Sequence, residues 1–182
     1  MVSDVTGLLL MGGRSQRMGQ DKAYLPWHGE LMWQRQFRTL SQVANPVWRS
    51  VPHGTRPAPD LIVDPLPFPG PLPAIVASLR ALTNYWLLVL AVDLPRVDAA
   101  LLHDLIAHRR ADGVTIVAGD GGSQPLLSIW HHSVADILPS PANLANASVN
   151  AVLRKIPTSE YRLPHERSLL LANMNTPEDL RR

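Results

Sequence analysis

The sequence predicts an α/β protein built on a mostly parallel central sheet with helices on both faces. Three observations lead there. Short apolar runs alternate with stretches of helical periodicity, the signature of βα units. The strongest run, Tyr85 to Val92, is apolar at every position, which requires cover on both sides of its strand. The chain of 182 residues, 46% hydrophobic and 18% charged, suits one domain with a substantial core and is short for two, so residues 1–182 are expected to form a single domain.

Val5 to Met11 reads as the first buried strand, ending in Gly12-Gly13, with Arg14 to Gly19 a turn of helix or an irregular loop. Met32 to Val43 carries apolar residues at 33, 37, 40 and 43 and predicts a helix, followed by a strand near Val47 to Ser50. Residues 46–73 hold nine of the 17 prolines, a density that forbids long helices and leaves one short strand, Leu61 to Val63. Pro71 to Leu82 is a helix with Leu72, Ile75, Val76 and Leu79 on one face, and Trp86 to Val92 is the central strand. Asp98 caps a helix over Ala99 to Arg110. Val114 to Ala118 and Leu126 to Trp130 flank Gly-Asp-Gly-Gly and predict a hairpin. A helix over Ser148 to Ile156, a last strand over Ser168 to Ala172 and a closing helix over Thr176 to Leu180 complete the pattern.

Composition removes several chemistries. Without cysteine there are no disulfides, thiolate zinc sites, iron-sulfur clusters or Cys nucleophiles. The net charge of +2 comes from scattered basic residues, which argues against a nucleic-acid partner. The longest apolar run, eight residues, is far below the ~20 that span a bilayer, and the acidic start does not resemble a secretory signal, so no membrane is expected and a cytoplasmic location is. Seven histidines show no His-Glu-x-x-His pattern, and Gly-x-Ser-x-Gly is absent.

Two motifs carry chemistry on their residues alone. Leu10-Met11-Gly12-Gly13 leads from the first strand to Arg17 and Lys22, the latter one of only two lysines. Glycines let backbone N–H groups approach a phosphate, and the cations neutralise it. A tight turn bearing exposed arginines is the plainer alternative. Asp93 stands at the tip of the central strand, where open α/β sheets bind ligands; it can hold Mg²⁺ or, alternatively, cap the turn before Pro95. Asp64 is by itself an ordinary turn aspartate. Asn173 and Asn175 alternate ahead of Thr176-Pro177, a strong helix start, and would point the same way if extended; the alternative is that they stabilise a turn.

Gly12-Gly13-x-Ser15-x-Arg17-Met18-Gly19-x-Asp21-Lys22 resembles the N-terminal signature of nucleotidyltransferases, and in particular the molybdenum cofactor guanylyltransferase (MobA-like) family. The strand-end Asp93 before Pro95, Asp64 ahead of Gly70-Pro71-Leu72, and Asn173-x-Asn175-Thr-Pro-Glu-Asp-Leu are similar to that family too, so the resemblance runs from about residue 7 to 180. It implies a nucleotide-diphospho-sugar transferase-like three-layer sandwich that transfers GMP from GTP to molybdopterin with Mg²⁺ and releases pyrophosphate. By the same resemblance, Leu10, Met11, Gly12 and Gly13 approach the nucleotide, Arg17, Lys22 and Asp93 are catalytic, and Asp64 and Gly70 line the base. Ser50 stands where the family often has a nucleotide-contacting Asn, and Pro73-Ala74 where it has Ala-Gly, which leaves a cytidylyltransferase on the same pterin as an alternative. Asn173, Asn175 and Gln124 would face the pterin, with Asn175 also a metal contact. Molybdoenzymes or other cofactor-maturation proteins are the implied partners, and a non-catalytic nucleotide or pterin carrier is the remaining alternative.

Overall fold

A computed structural model of the chain describes residues 4–11, 21–65, 67, 70–144 and 147–174. The segments expected to be loop or helix at 14–19 and helix at 176–180 lie outside them, as do Gly12, Gly13, Arg17 and Asn175. The elements are β1 (Val5–Leu10), β2 (Pro26–Trp27), β3 (Glu30–Leu31), α1 (Met32–Ser41), β4 (Val47–Val51), β5 (Leu61–Val63), α2 (Pro71–Ala81), β6 (Trp86–Ala91), α3 (Ala99–Ala107), β7 (Val114–Gly119), β8 (Gly122–His131), α4 (Val134–Ile137), α5 (Val149–Leu153) and β9 (Thr158–Arg162). Three short 3₁₀ turns, Lys22–Tyr24, Pro141–Leu144 and His165–Leu171, join them.

Among the described residues, seven strands form one sheet in the order β5-β4-β1-β6-β8-β7-β9, and of these only β8 runs against the rest. Alternation of side chains splits each central strand between two cores. Leu9 of β1 with Leu88 and Leu90 of β6 meets Met32 and Leu40 of α1 and Leu101, Leu102 and Leu105 of α3. Leu8 and Leu10 with Leu87 and Val89 meet Leu72, Ile75 and Leu79 of α2, Val134 of α4 and Leu153 of α5 on the other face. This is the three-layer sandwich expected, and the continuous apolarity of β6 follows from cover on both sides.

Most elements lie where the sequence puts them. Asp98 accepts from the Leu101 N–H at 2.8 Å and caps α3. Asp120 and Gly121 turn the β7–β8 hairpin, with Gly122 at φ +99°. The C-terminal part differs. The apolar run Ser168 to Ala172 is not a strand but mostly part of the 3₁₀ turn His165–Leu171, pinned by Arg167 to Asp104 at 2.6 Å. The last strand is instead β9, a polar edge strand whose sequence, Thr-Ser-Glu-Tyr-Arg, carries almost no hydrophobic signal. The helix expected over Ser148 to Ile156 is the shorter α5, and the β2–β3 hairpin, turned by His28 and Gly29 at φ +47° and +87°, was not anticipated.

Candidate active site

The parallel strands β5, β4, β1 and β6 all end on one edge of the sheet, so Asp64, Ser50, Met11 and Asp93 fall in a row there. At ~4.8 Å between neighbouring strands, this row is about 14 Å long. Register holds it in line: Leu10 lies beside both Ser50 and Ala91, and Ser50 beside Ile62. Ser50 is 5% exposed, and its Oγ accepts from the Met11 N–H at 3.1 Å. Its hydroxyl therefore fixes the start of the glycine segment to β4. Leu10 and Met11 are themselves buried, leaving backbone rather than side chain at the strand end.

Lys22 reaches this edge because its neighbours are anchored. Asp21 accepts from the Ala23 N–H at 3.0 Å, starting the 3₁₀ turn, and Ala23 and Leu25 are buried in the core beneath it. The turn sends Lys22 Nζ across the sheet edge to 3.7 Å from Asp93 Oδ2. Burial pushes the Asp93 carboxyl above its ordinary range, and the Lys22 charge pulls in the opposite direction. A desolvated carboxylate beside a cation and at a strand tip suits phosphate and metal chemistry.

Asp93 also lines a cleft of about 340 Å³ with Pro71, Gln124, Pro125, Ser148, Asn150 and Asn173. Gln124 is delivered by Pro125, which cannot donate to the ladder: the β7–β8 register shifts there, and Ser128 Oγ closes the bulge onto the Pro125 carbonyl at 2.9 Å. Asn173 is delivered by the next residue, whose N–H donates to the Asp93 carbonyl at 2.9 Å. The structure thus brings Lys22, Asp93, Gln124 and Asn173 together from four distant parts of the chain. Ser148 and Asn150, at the start of α5, were not anticipated. Ser148 is legible as a helix cap, but nothing in a linear pattern says that α5 begins beside Asp93.

Asp64 stands apart at the far end of the row. One of its oxygens, Oδ1, is buried with no hydrogen-bond partner among the described residues, and burial raises the carboxyl to about 6 against the opposing pull of His53. Gly70, at φ +77°, makes the turn into α2, where Pro71 enters the cleft wall. No trio of His, Cys, Asp or Glu suited to a metal occurs among the described residues. The Asp93 carboxylate, the one acid among the described residues that line the cleft, fits Mg²⁺, a hard cation that takes one or two protein carboxylates and leaves its other positions to water and substrate phosphates. A larger concavity of about 460 Å³ lies at the opposite edge of the sheet, by Asn84 and His132, and contains none of the residues singled out by sequence.

Against known proteins, the MobA-like NTP transferase domain family matches residues 7–161. The chain belongs to the MobA-like NTP transferase family. This transferase is 35% identical to the molybdenum cofactor guanylyltransferase of Pseudomonas fluorescens, over 94% of the chain and 89% of that relative. It is 34% identical to a probable molybdenum cofactor guanylyltransferase of Opitutus terrae, over 97% and 93%. In fold it is similar to the molybdopterin-guanine dinucleotide biosynthesis protein A of Archaeoglobus fulgidus, with a TM-score of 0.77 at 21% identity over 97% and 95% of the two chains. The MobA-like transferase is accordingly a nucleotidyltransferase, and the edge bearing Lys22 and Asp93 is its candidate active site.

Proposed function

We propose that the chain is a cytoplasmic molybdenum cofactor guanylyltransferase, one domain over residues 1–182, that transfers GMP from GTP to molybdopterin in a reaction supported by Mg²⁺. The observation that carries this reading is the approach of Lys22 to Asp93 at the mouth of an amide-lined cleft. An oxygen of the molybdopterin terminal phosphate forms a bond to the α-phosphorus, and the bond from that phosphorus to the bridging oxygen breaks, releasing pyrophosphate. The attacking oxygen is already anionic, so no general base is required; placement and charge neutralisation carry the rate. When bound, Mg²⁺ supplies positive charge to the phosphate oxygens. Asp93 would hold it, and Asn175 is proposed as a further contact.

Lys22, with Arg17 earlier in the same signature, would hold the phosphates. Leu10, Met11, Gly12 and Gly13 would present backbone to the nucleotide, Ser50 would steady that backbone, and Asp64 with Gly70 would border the base and ribose. Gln124 and Asn173 would offer amide donors and acceptors to the pterin ring, with Asn150 beside them in the same wall. The product would pass to molybdoenzymes or other cofactor-maturation proteins.

Pyrophosphate release, followed with GTP and with CTP, in the presence and absence of molybdopterin, tests the reading. Release that requires both GTP and molybdopterin is the expected result. Preference for CTP would identify a cytidylyltransferase, and tight triphosphate binding without release would identify a carrier; either overturns the proposal.

A further inference from the structure

The turn that carries Asp93 is held from outside in an unusual way. Its three consecutive carbonyls each have a partner distant in sequence: Asp93 O accepts from Met174 N–H at 2.9 Å, Leu94 O from Gln36 Nε2 at 2.5 Å, and Pro95 O from Arg35 Nε at 2.7 Å. Two of the three donors are adjacent side chains of α1, a helix that contributes no residue to the cleft.

Gln36 is fully buried, its solvent exposure 0%, and its second amide atom, Oε1, has no hydrogen-bond partner among the described residues. An unsatisfied buried acceptor costs about 1–3 kcal/mol, and an apolar side chain of the same volume would avoid it. A glutamine at this position is therefore not explained by core stability. What the glutamine adds is its Nε2 contact with Leu94 O, a buried carbonyl that also accepts from the Val97 N–H at 3.1 Å: a tie from α1 to the turn. Arg35, half-buried, holds the next carbonyl, so the turn cannot rotate about its own axis without breaking both bonds.

We infer that Gln36 and Arg35 are positioning residues for the metal: they set the direction of the Asp93 carboxylate from behind. The inference rests on the proposed role of Asp93. Groups that orient a metal ligand typically contribute 10- to 100-fold to metal affinity.

The test measures Mn²⁺ affinity of the full chain with bound GTP, by electron paramagnetic resonance, alongside the melting temperature. Gln36→Met keeps the volume, deletes the donor and removes the orphaned oxygen. It is expected to weaken Mn²⁺ binding at least tenfold while the melting temperature holds or rises. Arg35→Met, which also gives up the 3.9 Å approach of Arg35 to Glu30, is expected to weaken it as well, with Arg35→Lys restoring part of the loss. Asp93→Asn serves as the reference. If it leaves Mn²⁺ affinity unaltered, the assignment of Asp93 fails. If it weakens binding while both Gln36→Met and Arg35→Met bind Mn²⁺ like the parent, the positioning role is overturned.

Discussion

Lys22 and Asp93 meet at 3.7 Å although 70 residues of chain separate them, and each stays partly open to solvent, with side-chain exposures of 18% and 29%. Lys22→Ala and Asp93→Ala are therefore expected to lower pyrophosphate release by about 10²- to 10³-fold, the usual loss of one charge-stabilising group, with a nearly unchanged melting temperature. Asp64 gives a pH-dependent prediction. Its folded carboxyl titrates at about 6, above the ordinary 3.8 that applies to the unfolded chain, so the folded state binds more protons between those values. Stability from this group is present below about pH 4 and falls as pH rises through 6. Asp64→Asn should raise the melting temperature at pH 8 and change it little at pH 4.5, as measured by thermal scans at both. Asp93 was legible as an acid at a strand tip and Asp64, on its own residues, only as a turn aspartate; the burial that perturbs both was not legible, because it follows from packing in three dimensions.

At the scale of elements, the strands and helices with one buried periodic face were readable, and those held by polar contacts were not. β9 escaped because an edge strand of Thr, Ser, Glu, Tyr and Arg earns its place through ladder bonds to β7 rather than through a hydrophobic face. Ser168 to Ala172 misled because three successive leucines satisfy a strand pattern, whereas the segment folds as a tight turn that leaves Leu169 71% exposed and buries Leu171. The attachment of β9 is sensitive at its first contact. A Cβ at Gly113 would stand 2.1 Å from the Pro157 carbonyl oxygen, backbone that cannot step aside. Gly113→Ala is expected to cost about 1–3 kcal/mol in urea unfolding, the range for overpacking, and to expose the amides of β9 to hydrogen exchange before those of β6. The placement of the α5 start beside Asp93 and the grip of α1 on the Asp93 turn belong to the same illegible class: both are packing outcomes with no linear signature.

For the whole molecule, the reversal of β8 follows from the hairpin legible around Gly-Asp-Gly-Gly, and the layer arrangement from the continuous apolarity of β6, which demands cover on both faces. Binding should be visible globally. GTP with Mg²⁺ at 100 times its dissociation constant adds about 2.7 kcal/mol to stability by mass action, so it is expected to raise the melting temperature by more than an equal concentration of CTP. A larger shift with CTP would count against the guanine preference. The bond from Met174 to the Asp93 carbonyl ties two walls of the cleft into one unit: a displacement of the segment that bears Asn173 is transmitted directly to the turn at the tip of β6, so the acid and the amide keep their mutual distance when either is pushed.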